Sequence, residues 1–548
     1  MDSFFFPLFF SFSQTQQERF HMVDTEGATK LYHLDETDAF SLKTTRTSSD
    51  ADSLEMMFQL TELQRVALLA KSGVEGGDGS AASLELINTA VRDQATNGNH
   101  RHSIVIEESP DIVLPLVLSA TLDLDAGVLI VTSSEIMDTT PSTKINPSKL
   151  RLSNIAGNGD NTGVVLTNCV VTEGGLGLTS PGETPPSVAV DSYVFKLTLV
   201  EADRALVIAI AGETGGDNTA VVLDVIQTGA LFDIAQNSPL VVDGIVVTET
   251  ADVTKPRILN ATITLGDGIL VLLCSEYADL TPASTKVDLT KLHLSDTSGA
   301  NDAIVPDLNG ASVIEIDGYY LSITLTEEQR VDAIEHSATP GGDGVALIFD
   351  AEDSAVKDIA QNGNDATNTF YQYAHPGVLV TEHADLVAPT IVDVQIDYGL
   401  GIVQITASET VDTSNVDLTK LFLSDVSGTH DVPLGGAPAT FYDANQATVI
   451  AIDGVKFNIT LSELQRVTAL AKSSTSGGNA DNTPLVLDSP LSSSFTDIGQ
   501  NPTPPQNNIP IREFGDALPP TFQSATLNYS TGTLIITADE TIDTTPGT

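Results

Sequence analysis

Basic residues are scarce in this sequence. Lys and Arg together number 24, Asp and Glu number 74, and the resulting net charge at pH 7 is −50. A surface this negative repels phosphate backbones and anionic membranes and attracts divalent cations. The composition therefore excludes nucleic acid as a partner. Hydrophobic residues still make up 41% of the chain and occur in short β-branched runs, which indicates a folded protein and not a disordered acidic tail.

Cysteine is nearly absent as well. Cys169 and Cys274 are the only two, and they occupy non-equivalent positions of the internal repeat described below. The position of Cys274 holds Ser133 in one repeat and Ala407 in another. We interpret both cysteines as buried small residues and not as a disulfide or a thiol site. Disulfide bridges are therefore not expected to stabilise the fold.

Long hydrophobic runs are missing, so no stretch is long enough to span a bilayer. The N-terminal stretch MDSFFFPLFFSFSQ has an apolar core of signal-peptide length, but Asp2 replaces the expected basic region and Pro7 interrupts the core. We interpret residues 1–22 as a leader, a weak secretion signal. The alternatives are a divergent strand and a mispredicted gene start.

What the sequence does contain is an internal repeat. Four prolines each precede a glutamate by 20 residues, and successive prolines are 141, 133 and 131 residues apart. The pairs are Pro115 with Glu135, Pro256 with Glu276, Pro389 with Glu409, and Pro520 with Glu540. The repeat predicts tandem domains of similar structure.

Within a repeat the pattern predicts β-hairpins. TIVDVQIDYGLGIVQITASE (390–409) alternates around a Gly-rich turn, and LTKLFLSD (418–425) follows it, with ATKLYHLD (28–35) as the matching stretch near the N-terminus. VIAIDGVKFNITL then places Asp-Gly at a two-residue turn. These elements are typical of a β-sandwich.

One short helix follows these strands in each repeat. Ser or Thr stands three residues before Gln in three copies, which predicts a capping box at each helix start. The pairs are Thr61 with Gln64, Thr326 with Gln329, and Ser462 with Gln465. The fourth copy has Val200 at the cap. Each helix precedes a Gly-Gly-Asp turn or its variant Gly477-Gly478-Asn479, and a later strand leads to an Asp-x-x-x-Asn stretch such as DIAQN (358–362).

These motifs together resemble the bacterial Ig-like repeats of S-layer proteins and large surface adhesins. The matches include Ser408-Glu409 with Val411-Asp412 early in a repeat, and Asp358-Ile359-Ala360 with Asn362 late in one. The sequence departs by lacking the family's Phe before Ser-Glu and by placing Gln where the family has Gly. The resemblance extends from Val23 onward and implies sandwich domains in an extracellular or cell-surface setting, but no activity.

The predicted fold is therefore mostly β, with tandem Ig-like β-sandwich domains that each carry one short capped helix. After the leader we expect an incomplete repeat without its first hairpin, three complete repeats, and a partial repeat that is a candidate donor-strand hairpin. Their bounds are 23–114, 115–255, 256–388, 389–519 and 520–548.

Acidic residues are the best candidates for ligand binding. Each recurs at the end of a strand or in a loop near a repeat junction, where carboxylates suit Ca²⁺. The candidates are Glu135, Glu276, Glu409, Asp233, Asp358 and Asp497. In the alternative interpretation each Asp closes an Asx turn and each Glu is solvated or accepts a loop amide. Four arginines, each three residues after a helix Glu, predict a structural ion pair across one helical turn: Arg65, Arg204, Arg330 and Arg466.

No catalytic arrangement repeats or clusters in the sequence. The nine His lack metal-ligand spacing, and there is neither Gly-x-Ser-x-Gly nor a phosphate loop in a strand-to-helix context. Apart from calcium no cofactor is indicated. Asn260, Asn458 and Asn528 begin N-glycosylation sequons, and DTTP and NPTPPQ could carry O-linked sugars.

These observations favour a non-enzymatic extracellular structural protein that forms a rod or filament. The alternative is a cell-surface adhesin, stiffened by calcium, that binds a glycan or partner cell. Trp is absent and TFYQY (369–373) is the only dense aromatic group, so the sequence gives the adhesin little support. An enzyme with Ig-like spacer domains would need a catalytic domain outside this chain.

The two ends suggest how a filament would form. Val23 to Thr25 matches Val411 to Thr413, so the recognisable first unit begins 22 residues into the repeat, while residues 520–548 supply the hairpin that it lacks. We expect one molecule's C-terminal strands to insert into the next molecule's first unit, giving a head-to-tail homopolymer. The alternatives are a sequence cut from a longer repeat protein, or a degenerate hairpin formed in cis by residues 1–22.

Overall fold

The computed structural model describes most of the chain. The described residues are 20–23, 30–33, 41–42, 58–60, 62–93, 95–154, 163–172, 191–295, 303–305, 307–366, 377–426, 428–435, 446–478 and 483–544. Two compact units make up the chain, and each is described by itself below. Unit 1 comprises Met1–Thr254 with Ile359–Asn362, and unit 2 comprises Lys255–Asp358 with Gly363–Thr548.

Unit 1 contains fourteen strands and two α-helices among its described residues, together with short 3₁₀ helices at Ser142–Lys144 and Pro147–Lys149. In chain order the elements are β1 (Phe20–Val23), β2 (Lys30–His33), β3 (Ser41–Leu42), β4 (Phe58–Gln59), α1 (Glu62–Leu69), β5 (Ser83–Leu86), β6 (His102–Val105), β7 (Val117–Asp123), β8 (Val128–Met137), β9 (Leu150–Ser153), β10 (Val164–Val165), β11 (Val170–Val171), β12 (Ser192–Thr198), α2 (Glu201–Ala209), β13 (Val222–Val225) and β14 (Val242–Thr250).

Strands β7 to β14 form one curled eight-stranded sheet. This sheet together with α2 is called the first module. Its strand order is β10-β9-β13-β14-β7-β8-β12-β11, and β14 pairs with β7 in parallel while the other pairs are antiparallel. The elements before it, β1 to β6 with α1, are the N-terminal segment. That segment contains a four-stranded sheet of order β2-β1-β5-β6 and a separate pair of β3 with β4.

Unit 2 contains nineteen strands and three α-helices among its described residues, with 3₁₀ helices at Leu289–Lys291, Thr413–Asn415 and Leu418–Lys420. The elements are β15 (Ile258–Thr264), β16 (Ile269–Ala278), α3 (Ala283–Lys286), β17 (Leu292–Ser295), β18 (Ala303–Val305), β19 (Ser312–Val313), β20 (Gly318–Thr324), α4 (Glu327–Glu335), β21 (Ile348–Ala351), β22 (Val378–His383), β23 (Ile391–Asp397), β24 (Ile402–Asp412), β25 (Phe422–Ser424), β26 (Val432–Pro433), β27 (Thr448–Val449), β28 (Gly454–Thr460), α5 (Glu463–Leu470), β29 (Val486–Ser489), β30 (Thr496–Asp497), β31 (Gln506–Phe514), β32 (Phe522–Asn528) and β33 (Thr533–Ala538).

Two more modules in unit 2 repeat the strand order of the first module. The second module, β15 to β22, has the order β18-β17-β21-β22-β15-β16-β20-β19, and the third, β23 to β31, has β26-β25-β29-β31-β23-β24-β28-β27 with β30 added beside β24. The parallel pair recurs as β22 with β15 and β31 with β23. Within the part of the chain that the structure describes, strands β32 and β33 pair only with each other, and they form the C-terminal hairpin. The three modules fall inside the predicted repeats 115–255, 256–388 and 389–519.

Each module has a core of alternating strand residues. In β24 the side chains of Val403 and Ile405 are fully buried while the residues between them are half-buried, and β8 shows the same alternation. Phe195 in the first module, Phe349 in the second and Phe495 in the third are the largest fully buried side chains besides Tyr398. Period-two burial on a curled sheet accounts for the sandwich-like, β-rich architecture.

The helix starts differ in the way the sequence indicates. The Thr326 hydroxyl accepts from Gln329 N at 3.2 Å, and Gln329 Oε1 accepts from Thr326 N at 3.0 Å, a reciprocal pair at the start of α4. An equivalent pair joins Ser462 and Gln465 at α5. Val200 precedes α2 without a side-chain cap. Thr61 lies outside the described residues.

Other predictions meet the limits of the described residues. Residues 1–19, 24–25, Asn479 and TFYQY (369–373) are not among them. The boundary predicted between residues 22 and 23 falls inside β1. The sequence matched ATKLYHLD (28–35) to the stretch that forms β25. Its described residues, Lys30–His33, form β2, which has the sheet position of β26 and not that of β25. The position of β25 belongs to β1, because β1 pairs with β5 as β25 pairs with β29.

Candidate metal centre

Three acidic side chains meet in unit 2. Asp385 follows β22, Glu409 lies near the end of β24, and Asp497 ends β30, which pairs with β24 so that Asp497 faces Val411. One oxygen of each carboxylate lies within 4.8 Å of the others. The residues are only 2%, 6% and 1% exposed. The sequence predicted Glu409 and Asp497 as ligand candidates, and the structure places Asp385, which was not predicted, beside them.

A single buried arginine compensates part of this charge. Arg330, from the first turn of α4, donates from Nη1 to Asp385 at 2.8 Å and from Nη2 to Glu409 Oε2 at 3.1 Å. Its Nε donates to Glu327 at 2.7 Å, which is the ion pair expected across one helical turn. Because Glu327 engages the same guanidinium, one positive charge serves several carboxylates.

The Asp497 carboxylate also closes a tight loop. It accepts from Asn501 N at 2.7 Å and from Asn501 Nδ2 at 3.0 Å. Asn501 Nδ2 also donates to the Asp385 carbonyl at 3.2 Å, which holds the loop against the connection that carries Asp385. The turn-closing role proposed as the alternative to metal binding is thus present, and it positions Asp497 inside the cluster.

Glu409 is the least satisfied member of the cluster. Its Oε2 accepts from Arg330, but its buried Oε1 accepts no hydrogen bond from any described residue. Burial raises the pKa of Glu409 to about 7; Arg330 opposes the rise, and the charges of Asp385 and Asp497 add to it. Burial also raises the pKa of Asp497.

Unit 1 contains the same arrangement. Asp111, Glu135 and Asp233 each place one oxygen within 4.8 Å of the others. Arg65, on α1, donates to Glu135 at 2.7 Å and contacts Asp111 and Glu62. Burial raises the pKa of Glu135 to about 7 as well, against the opposing charge of Arg65. The cluster is therefore a recurring feature and not an accident of one module.

The remaining predicted pair lies within the second module. Glu276 and Asp358 are 6% and 1% exposed, and one oxygen of each lies within 4.8 Å of the other. Asp358 faces Ala278, two residues after Glu276, as Asp497 faces Val411, two residues after Glu409. All six predicted carboxylates thus lie in this strand-and-loop geometry.

A fourth copy is partial. Arg466 donates to Asp516 at 2.7 Å and to Glu540 at 3.2 Å, and it pairs with Glu463 at 2.7 Å. Among the described residues, no Asp-x-x-x-Asn loop lies beside Glu540. In the N-terminal segment, Asp93 forms such a loop, in which it accepts from the main-chain and side-chain amides of Asn97, and Asp93 is exposed.

Sequence reasoning missed Asp111 and Asp385. A signal for them exists, because an Asp stands four residues before each repeat proline: Asp111, Asp252, Asp385 and Asp516. The predicted strand and loop carboxylates follow the repeat proline, whereas the carboxylates of the connections precede it.

Other predicted positions are placed without forming a further cluster. Asn260 and Asn528 are exposed, whereas Asn458 is half-buried and its Oδ1 accepts from Gln404 Nε2 at 3.1 Å. Cys169 and Cys274 are both free thiols, and burial raises their pKa to about 11 and about 12. They are therefore protonated at neutral pH.

A comparison with models of protein families found no match for this chain, and a search of curated proteins found none either. No helix among the described residues is both long and apolar enough to cross a lipid bilayer. The candidate metal centre therefore has to be interpreted from its own geometry.

Proposed function

We propose that this chain is a non-enzymatic extracellular structural protein of tandem Ig-like sandwich domains that polymerises head-to-tail. The C-terminal hairpin of one copy completes the N-terminal segment of the next. The acidic surface keeps the resulting filament hydrated and soluble. The observation that carries the proposal is the uncovered apolar face of the C-terminal hairpin.

The C-terminal hairpin has the sequence pattern and register of a module's first hairpin. Phe522 pairs with Ala538 as Ile391 pairs with Ala407 in the third module. In the third module, the inward residues of β23 and β24 are almost fully buried, whereas their counterparts are exposed. Leu527, Leu534 and Ile536 are 48%, 58% and 54% exposed, against 0% for Ile396, Val403 and Ile405. An isolated two-stranded hairpin of this kind is marginally stable at best.

The hairpin is nevertheless held in place at its base. Arg466 binds Glu540 as Arg330 binds Glu409, and Thr541 N donates to Glu463 at 2.7 Å. The matching bond in unit 2 runs from Thr410 N to Glu327 at 2.8 Å. The C-terminal hairpin is thus attached to α5 of the third module. In the same way, the β23–β24 hairpin of the third module is attached to α4 of the second module.

The described residues of the N-terminal segment leave two strand positions of a module unfilled. By chain order, β6 corresponds to β14, and β4 with β3 corresponds to β12 with β11. In the first module, β7 and β8 lie between β14 and β12, but the described residues of the N-terminal segment include no counterpart of these two strands. Ile104 and Val105 on β6 are 47% and 63% exposed. Such an open edge is a ready template for another chain.

Insertion of β32 and β33 from a second copy would fill these two positions. β32 would pair in parallel with β6, as β7 does with β14, and β33 would lie antiparallel beside β4, as β8 does beside β12. Donor and acceptor are different surfaces of the chain, so the contact is head-to-tail and propagates into a filament.

Two neighbouring isoleucines test the proposal. Ile536 points to the inward face by its match to buried Ile405, whereas Ile535 matches Gln404 on the other face. Both are exposed in this chain, at 54% and 59%, so neither substitution is expected to unfold the monomer. Ile536→Asp should abolish filaments because it would bury a charge in the completed core. Ile535→Asp should leave filament assembly unchanged.

The measurement is negative-stain microscopy together with light scattering across a concentration series. Deletion of residues 520–548 should also leave the protein monomeric. Filaments formed equally by the parent and by Ile536→Asp would refute strand insertion, and a parent protein that stays monomeric at all concentrations would refute the filament itself. Equal loss of filaments in both isoleucine variants would point to nonspecific hydrophobic association.

A further inference from the structure

The cluster in unit 2 has an unbalanced charge. One guanidinium, that of Arg330, contacts Glu327, Asp385 and Glu409, and its side chain is 6% exposed. Asp497 adds a further carboxylate within 4.8 Å of Asp385 and Glu409. Asp385, Glu409 and Asp497 are themselves more than nine-tenths buried. Buried carboxylates need a proton, a donor or a counter-ion, and Arg330 supplies only one charge.

Glu409 Oε1 shows where the compensation is missing. It is buried and accepts no hydrogen bond within the described part of the chain, while Oε2 of the same carboxylate accepts from Arg330. A buried carboxylate oxygen without a partner costs free energy unless a proton, a hydrogen-bond donor or a cation approaches it. Ionised Asp385 and Asp497, which lie beside the Glu409 carboxylate, supply none of these.

We propose that Asp385, Glu409 and Asp497 bind a Ca²⁺ ion. Every candidate ligand is a hard oxygen, which calcium and magnesium prefer and which softer transition metals do not require. The oxygens lie within 4.8 Å of one another, close enough to bind one ion together. Calcium accepts several carboxylates in flexible geometry, whereas magnesium keeps several waters and is usually bound through one or two carboxylates. Water and carbonyl oxygens complete the coordination shell.

The cation would act as a structural clamp within unit 2. Asp385 belongs to the connection after β22, whereas Glu409 and Asp497 belong to β24 and β30 of the third module. One ion bound by all three fixes the connection against that module, in addition to the hydrogen bond from Asn501 to the Asp385 carbonyl. This binding takes place inside one chain, so it does not depend on filament formation.

The test uses the Ile536→Asp chain, which the filament proposal expects to be monomeric, after removal of bound metal with chelator. Calcium chloride is the probe, and bound calcium is counted by equilibrium dialysis with the isotope. Glu409→Gln should reduce the bound calcium by one equivalent per chain. Glu328→Gln, an exposed neutralisation on the same helix as Arg330, is the matched control and should bind as the parent does.

Thermal melting separates a cation site from a merely structural carboxylate. In chelator, Glu409→Gln should melt no lower than the parent, because an amide removes charge repulsion from the cluster. Calcium should raise the melting temperature of the Ile536→Asp chain more than that of the same chain carrying Glu409→Gln. The proposal is overturned if the parent binds no calcium, if Glu409→Gln binds as many equivalents, or if that variant melts lower in chelator and keeps the full calcium response. Equal stabilisation by magnesium chloride at the same concentration would overturn the assignment to calcium.

Discussion

At the scale of single residues, Glu409 combines burial, a charged neighbourhood and an unsatisfied oxygen. Burial raises its pKa from the ordinary value of 4.5 to about 7. Between these two values the folded chain holds a proton that the unfolded chain releases. Stability contributed by this group is therefore present below pH 4.5 and is lost as the pH rises through 7.

This linkage predicts that chelator-treated protein becomes less stable between pH 5 and pH 7. Glu135 has the same shift and adds to the slope in unit 1. Glu409→Gln should flatten the slope in part, and Glu328→Gln should not change it. Melting temperatures at pH 5, 6 and 7 provide the measurement. A parent protein whose stability rises over this window would contradict the expected sign.

Arg330 gives a second prediction at this scale. Removing one partner of a buried ion pair leaves an uncompensated charge, at a cost of about 3–5 kcal/mol. Arg330→Met should therefore destabilise strongly, because Asp385 and Glu409 both accept from its guanidinium. Arg512 lies 3.8 Å from Asp393 and is 63% exposed, so Arg512→Met should change stability by at most about 1 kcal/mol. Urea unfolding of the two variants distinguishes these outcomes.

At the scale of elements, the helix caps differ between modules. Thr326→Ala removes the acceptor for Gln329 N and should cost about 1 kcal/mol in the transition that includes α4. Val200 provides no such acceptor at α2, so Val200→Thr should stabilise that helix by a similar or smaller amount. Urea unfolding is the measurement, and a Thr326→Ala change without effect would show that the side-chain bonds at this cap add nothing.

The turns after α4 and α5 form a matched pair. Gly341 and Gly477 have φ values of +92° and +89°, which strain any other residue. A Cβ on Gly341 would lie 2.1 Å from the Ile498 carbonyl oxygen, whereas one on Gly477 would meet no atom of the described residues within 4 Å. Gly341→Ala should therefore lower the melting temperature of the monomer more than Gly477→Ala does. Equal losses would mean that backbone strain alone decides, with no contribution from the contact.

At the scale of the whole molecule, the two proposals combine at the contact between copies. Asp516 and Glu540 provide two of the three carboxylates of the recurring cluster, and exposed Asp93 matches the third by its Asx loop. Strand insertion would place Asp93 of one copy beside Glu540 of the next. Calcium should therefore strengthen filaments more than monomers.

Asp93→Asn tests this combination. While monomeric, the variant should bind as much calcium as the parent. Added calcium should not strengthen the variant's filaments, which should be as stable with calcium as parent filaments are in chelator. Sedimentation of filaments with and without calcium measures the difference. If Asp93→Asn filaments retain the full calcium response, the contact between copies does not use this residue, although the clusters inside the chain remain as described.

Much of the chain could be predicted from local patterns. Alternation in β24 and the Thr326–Gln329 spacing depend on residues close in sequence, so side-chain period and capping chemistry were enough. The prediction of a two-residue Asp-Gly turn was wrong, because Gly454 begins β28, pairs with Val411 of β24 and lacks the positive φ that such a turn needs. The strands of the N-terminal segment were harder to predict, because β1 and β2 are short and a four-residue strand fits more than one sheet position. The matching of ATKLYHLD was wrong for this reason.

By itself the sequence determined the repeat, the alternation of the strands, the helix positions, three pairs of strand and loop carboxylates, and the four helix arginines. It did so because side-chain period, turn residues and helix capping are local properties. Only the tertiary structure decided that Asp385 joins Glu409 and Asp497, since these residues are far apart along the chain and meet through the pairing of β30 with β24. The tertiary structure also decided that Glu409 Oε1 is buried without a donor. Burial and charge balance depend on which distant groups pack around an atom, and that is a property of the folded chain.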